Sequence, residues 1–156
     1  MKIQISRLQL CDHALVQEAL RYNSGICFID STSIESCETR DLDMQILSKK
    51  ISVFTIRNSR NKIGYLILHS FKWSSKACFI KFVIDKRHKS EFINQKDQII
   101  EMTSGFVFDN FRIDRFFCKS SPRYTHILSS FRNCSKDPIG DTLLFVKEAS
   151  SENFVS

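Results

Sequence analysis

Four consecutive basic side chains, Lys86-Arg87-His88-Lys89, close an apolar run and form the densest cationic feature of the chain. Such a cluster between a strand and a helix holds phosphates by charge-assisted hydrogen bonds. The helix N-terminus adds unpartnered N–H groups to the same anion. A solvated loop uses these residues without binding anything, and both readings stand at this point. Lys81 lies in the middle of the apolar run 77–85, with Phe79 and Val83 on its side of the strand. A lysine there either snorkels to water at an edge or presents a cation inside a cleft. Ser120, Ser121, Tyr124, His126 and Ser129 gather hydroxyls, a phenol and an imidazole, with His126 and Ser129 spaced to share a helical face. They are either proton-transfer groups or the polar surface of a helix. His69, Phe71 and Trp73 at a hairpin end can stack on a substrate or a base, or simply pack. Asp12-His13 and the scattered acids have no metal-ligand spacing, so no metal is expected.

These residues need a scaffold, and hydrophobic periodicity supplies one. Strands are expected at 2–9, 51–57, 63–69, 77–85, 113–119 and 141–147, and helices at 13–22, 37–49, 95–111 and 122–132. Asn58 to Asn61 reads as a hairpin turn and 86–94 as a polar loop. The segment 23–34 carries Gly25 and the short apolar run Ile26-Cys27-Phe28-Ile29, with no element assigned. The order β, α, α, three antiparallel strands, α, β, α, β predicts a mixed α/β domain with a central sheet. Residues 1–148 are expected to form one domain and 149–156 a frayed tail.

The 156 residues include 42% hydrophobic side chains and fourteen phenylalanines, ample for a core, against only four glycines and two prolines. That balance excludes a disordered or loop-rich protein. The formal charge of +6 favours anionic partners or reflects a solvated basic face. The six cysteines, at 11, 27, 37, 78, 118 and 134, lack zinc spacing and disulfide density, which predicts free thiols in a reducing compartment. No run approaches the ~18–20 apolar residues that span a bilayer. The N-terminus lacks a signal-peptide core, so a cytoplasmic location without membrane contact is expected.

Three passages carry a family resemblance. Lys62-Ile63-Gly64-Tyr65-Leu66-Ile67-Leu68 resembles the "iGy..l" third strand of the GCN5-related N-acetyltransferases, and Ala77 to Asp85 resembles their fourth strand ending in "ID". Phe106 to Phe116 is similar to the passage from third helix to fifth strand in the ribosomal-protein and sugar N-acetyltransferases. The resemblance implies a mixed, mostly antiparallel sheet with a splayed pair of strands, flanked by about four helices. It implies acetyl-CoA or another acyl thioester as co-substrate, with CoA or an acyl carrier protein bearing the thioester. It further implies an amine acceptor, small molecule or protein, attacked directly without a metal, and a second copy of the chain as a cover for the splayed face.

In that family the pantetheine arm pairs with the fourth strand, here at Val83 and Ile84, and the pyrophosphate sits at the start of the next helix. The matching donor positions are Lys89, Asn94, Gln95, Lys96 and Ser121, with Lys81 and Phe79 facing the acceptor. Tyr124, His126 or Ser129 would protonate the leaving thiolate. The chain departs from the pattern at each point. No glycine lies between Gly64 and Gly105, and the family's loop glycines fall on Phe92 and Asn94 in one alignment or Asn94 and Lys96 in another. The fourth-strand acid becomes Phe79, the thiolate-protonating tyrosine falls on Ser129, and the motif's asparagine becomes Ser121. These losses keep open a catalytically inactive binding module of the same fold. Charge alone supports a small basic nucleic-acid binder, which is not the expected partner class.

Overall fold

The computed structural model of the chain describes residues 3–7, 12–33, 39–59, 61–134 and 142–149. Eight strands form one sheet: β1 (Gln4–Arg7), β2 (Ile26–Ile29), β3 (Ser52–Arg57), β4 (Lys62–Lys72), β5 (Ala77–Asp85), β6 (Arg115–Ser120), β7 (Arg132–Asn133) and β8 (Leu143–Glu148). Their order is β1-β3-β4-β5-β6-β8-β7, with β2 attached to β5 off that path. All neighbours are antiparallel except β2–β5 and β5–β6.

Alternation along β5 divides the interior into two layers. Cys78, Ile80, Phe82 and Ile84 join a core with Phe92 of helix α3 (Lys89–Asn94) and Ile99, Ile100 and Val107 of helix α4 (Lys96–Asn110). Val83, from the opposite face, packs with Leu15, Val16 and Ala19 of helix α1 (His13–Ala19) and Leu42 of helix α2 (Arg40–Leu47). β5 is therefore central, buried on both faces as its nearly continuous apolar sequence requires. Gly64 is needed where β4 meets β5, because a Cβ there would lie 2.4 Å from the Val83 carbonyl oxygen. Four helices and a mixed, mostly antiparallel sheet agree with the expected fold.

Three local expectations change. The polar loop after β5 is instead a 3₁₀ turn, Lys86–His88, running into α3. The Asp85 carboxylate accepts the Arg87 backbone N–H at 3.1 Å, which fixes the turn, and Phe92 then buries completely. The helix expected over 122–132 is a 3₁₀ helix, Pro122–Leu128, followed by the two-residue β7. The unassigned run 26–29 is a strand, β2. The proposed tail beyond residue 149, with Cys11 and Cys37, lies outside the described residues.

No helix among the described residues is long and apolar enough to cross a membrane. Cys27, Cys78 and Cys118 are buried free thiols and Cys134 is a half-buried one. Burial pushes the Cys27 thiol up to about 11 and Cys78 up to about 12, so both behave as small apolar groups.

Candidate functional site

β5 and β6 run side by side only at their start. Ala77, Cys78 and Phe79 pair with Arg115, Phe116 and Phe117, and beyond Phe79 the two strands part. The resulting gap is a splayed pair, which the resemblance implied. It is not open: β2 lies in it, parallel to β5, with Ile26, Cys27, Phe28 and Ile29 opposite Phe82, Val83, Ile84 and Asp85.

Gly25 is the pivot. Its carbonyl accepts the Phe82 N–H of β5 at 2.7 Å, and its own N–H donates to the Lys119 carbonyl of β6 at 2.5 Å. A Cβ at this position would fall 2.5 Å from Cys118 Sγ and 2.6 Å from the Lys119 oxygen. Only glycine lets the chain approach both strands this closely. Past Gly25, Ile26 enters the α4-side core while Cys27 and Ile29 enter the α1/α2 side. β2 thus buries both faces, and its four consecutive apolar residues are what such a position demands.

An aromatic cluster supports β2 from the α3 side. Phe28 meets Phe92 edge-on at 6.1 Å and Tyr124 at 5.0 Å, and Phe82 packs on Phe92 at 5.8 Å. The Lys89 ammonium sits 4.9 Å from the Phe28 ring and 5.4 Å from the Tyr124 ring, a cation–π arrangement. Phe92, on which one of the two alignments places a loop glycine, is fully buried.

The sequence-derived site residues divide accordingly. Lys89 and Tyr124 come together around Phe28. The hydrogen-bonding edge of Val83 and Ile84, expected to face a donor, is taken by Cys27 and Phe28 of β2. Gln95 marks the α3–α4 junction and its Oε1 is buried without a partner. Asn94 is exposed, and Lys96 bonds Asp97 at 3.1 Å. Ser121 precedes the 3₁₀ helix and caps it with no side-chain bond. His126 and Ser129 are exposed and do not join Tyr124 in a relay, because the tighter 3₁₀ turn leaves both on the solvent side.

The basic cluster is largely committed within the protein. Arg87 grips Asp85 through Nε at 3.1 Å and Nη2 at 2.8 Å, and Ser31 adds a hydroxyl at 2.6 Å. Burial pushes the Asp85 carboxyl up, but these hydrogen bonds outweigh it and hold the group below its usual range. His88 pairs with Glu91 at 3.3 Å. No three His, Cys, Asp or Glu side chains converge as metal ligands among the described residues.

Lys81 is 7% exposed and its ammonium donates to the carbonyls of Tyr22 at 2.6 Å and Ala19 at 3.4 Å. Ala19 is the last residue of α1 and its carbonyl also accepts the Tyr22 N–H at 3.2 Å. Tyr22 lies in the turn beyond, so the lysine sits at the negative pole of that helix. Burial lowers its pKa, and the Lys119 charge adds to the shift. Phe79, two residues earlier, packs edge-on against His69 at 5.8 Å.

Sequence reading missed β2. Its signal was present, an unbroken apolar run after a glycine, but four residues are too few to separate strand from buried helix by periodicity.

No protein-family model and no curated protein matches the chain. Solved structures do. Mutant forms of the spermidine/spermine N-acetyltransferase SpeG from Vibrio cholerae align over 99% of this chain and 100% of theirs, with a TM-score of 0.70 at 11% identity. The same organism's spermidine N-acetyltransferase in complex with CoA and spermine covers 94% and 95%, with a TM-score of 0.68 at 12% identity. Its dodecameric form in an intermediate state covers 99% and 98%, with a TM-score of 0.69 at 12% identity. At such identities the likeness is one of fold.

Proposed function

We propose, from the GCN5-related N-acetyltransferase fold that this chain shares with those enzymes, that it is an N-acyltransferase whose acyl-CoA groove is held by its own strand β2. The supporting observation is the parting of β5 and β6 after Phe79, with a main-chain ladder already formed along Phe82–Asp85. A pantetheine arm carries two amide groups and pairs with a strand edge much as another strand does. β2 presents that edge with a stand-in of the same shape. Donor entry then requires residues 25–29 to leave, after which the amine attacks the thioester carbonyl and the thiolate departs with a proton. Tyr124 packs on Phe28 of β2 beside the groove, and its phenol fits the role of proton donor. Acetyl-CoA is the donor expected from the fold. A polyamine acceptor, which the solved neighbours take, suits this chain poorly because its formal charge is +6.

A second reading has its own support. The aromatic cluster of Phe28, Phe82 and Phe92 fills the groove as a core does, which favours a binding module that keeps the fold without the chemistry. Thermal denaturation separates the two. Acetyl-CoA at 100 times its dissociation constant adds roughly 2.7 kcal/mol, or roughly 5–10 °C for a chain of this length. A rise with acetyl-CoA, or with an acyl-loaded carrier protein, supports the transferase and identifies the donor. No rise with either leaves the binding module.

A further inference from the structure

On the α1/α2 face a cavity of about 670 Å³ opens between the ends of both helices and the far end of β4. Its wall is cationic. Lys49, Lys50 and Lys81 line it together with His69, and among the described residues no carboxylate does. Lys49 and Lys50 are exposed and have no acidic partner among the described residues. The positive field is felt by His69, whose pKa falls to about 4 through burial and the charges of Lys81 and Lys119.

The mouth is flat and aromatic. Trp73 stacks on Phe71 at 4.8 Å with the rings 5° from parallel, yet remains 55% exposed. A large apolar face left in water beside a cavity marks a contact surface for a ring. Lys49, at φ 59°, is the left-handed residue that closes α2 in a Schellman cap. Its N–H donates to the Ile46 carbonyl at 3.1 Å and the Lys50 N–H to the Gln45 carbonyl at 3.0 Å, which holds both lysines at the cavity wall. Ser70 lies within the register shift between β4 and β5. Past it, Phe71 packs toward the α4-side core on Phe111 at 6.2 Å and carries Trp73 on its other side, at the cavity's edge.

The cavity also adjoins the groove. Tyr22 and Asn23 line it and lead directly into Gly25, while Lys81 precedes Phe82, the residue that Gly25 holds. A ligand seated here would present its far end to the point where β5 and β6 part.

We infer that this cavity takes a small aromatic amine carrying a carboxylate or phosphate, and that it excludes polyamines. The exposed Lys49 and Lys50 ammonium groups meet the anion and repel a polycation, and the exposed Trp73 meets the ring. Calling the ligand an acceptor rests on the transferase reading; the binding itself does not.

Trp73 is the only tryptophan in the chain, so its fluorescence reports the cavity directly. The full chain is titrated at low salt with 4-aminophenyl phosphate, 4-aminobenzoate, 4-aminophenol and spermidine. The inference predicts saturable changes with the two anions, at least ~10-fold tighter than with 4-aminophenol, equivalent to ~1.4 kcal/mol. Spermidine should leave the emission unchanged. The tighter anion distinguishes phosphate from carboxylate. Replacing both exposed lysines, Lys49→Ala with Lys50→Ala, should bring the anions down to the level of 4-aminophenol. Equal affinity for 4-aminophenol and the anions, or saturable binding of spermidine, overturns the inference. Anion binding without acetylation of the probe by acetyl-CoA upholds the cavity and removes the transferase reading alone.

Discussion

Phe92→Ala should cost about 3–5 kcal/mol of stability, the range for deleting a buried phenylalanine. Phe92 is fully buried and touches both Phe28 of the inserted strand and Phe82 of the strand it pairs with. Truncation leaves a cavity under the groove in the second half of α3, and the six-residue helix offers little that could collapse into it. Urea denaturation reads the change as a lower midpoint at unchanged slope. A loss under about 1 kcal/mol would show that Phe92 does not support the groove, since such a value suits a surface site. On the transferase reading the same variant loosens the packing that holds β2, so its surviving folded fraction should bind acetyl-CoA more tightly than the unaltered chain.

Gly25→Val should act on the lock itself. The branched side chain would meet Cys118 Sγ and the Lys119 oxygen, one a packed core atom and the other main chain, and neither can move cheaply. Overpacking of this kind costs about 1–3 kcal/mol. The strand is held by a small surplus. Burying Ile26, Phe28 and Ile29 contributes about 4.5–9 kcal/mol, against about 4–8 kcal/mol in backbone entropy for ordering four residues. A small steric penalty therefore suffices to release β2. Calorimetric titration should find acetyl-CoA binding at least ~10-fold tighter than to the unaltered chain, because a donor no longer competes with the strand. Unchanged affinity with a folded protein would place the donor elsewhere.

Much of the scaffold was legible in the residues. The hairpin around 58–61, the run 77–85 and the amphipathic stretch ending near Phe111 each carry a period or a turn signal long enough to decide their type. The resemblance implies a splayed pair of strands but says nothing of what fills the space between them. Phe92 is material for a core, and the apolar segment Ile26–Ile29 is what it packs against. Neither signal points to the other without the fold, because the two segments are distant in sequence and β5 brings Phe28 against Phe92. Lys81 illustrates the same limit: a mid-strand lysine announces a special environment, but the carbonyls of Ala19 and Tyr22 that satisfy it come from the end of α1. Tyr124 and Lys89 were singled out for proton and phosphate chemistry, and their meeting point, Phe28, belongs to the unassigned run.

Amide hydrogen exchange of the unaltered chain, with and without acetyl-CoA, tests the displacement of β2 most directly. The account predicts slow exchange at residues 26–29 in the free protein, then a selective loss of that protection on donor binding while β4 stays protected. Acetyl-CoA that binds and leaves residues 26–29 as protected as before would contradict it.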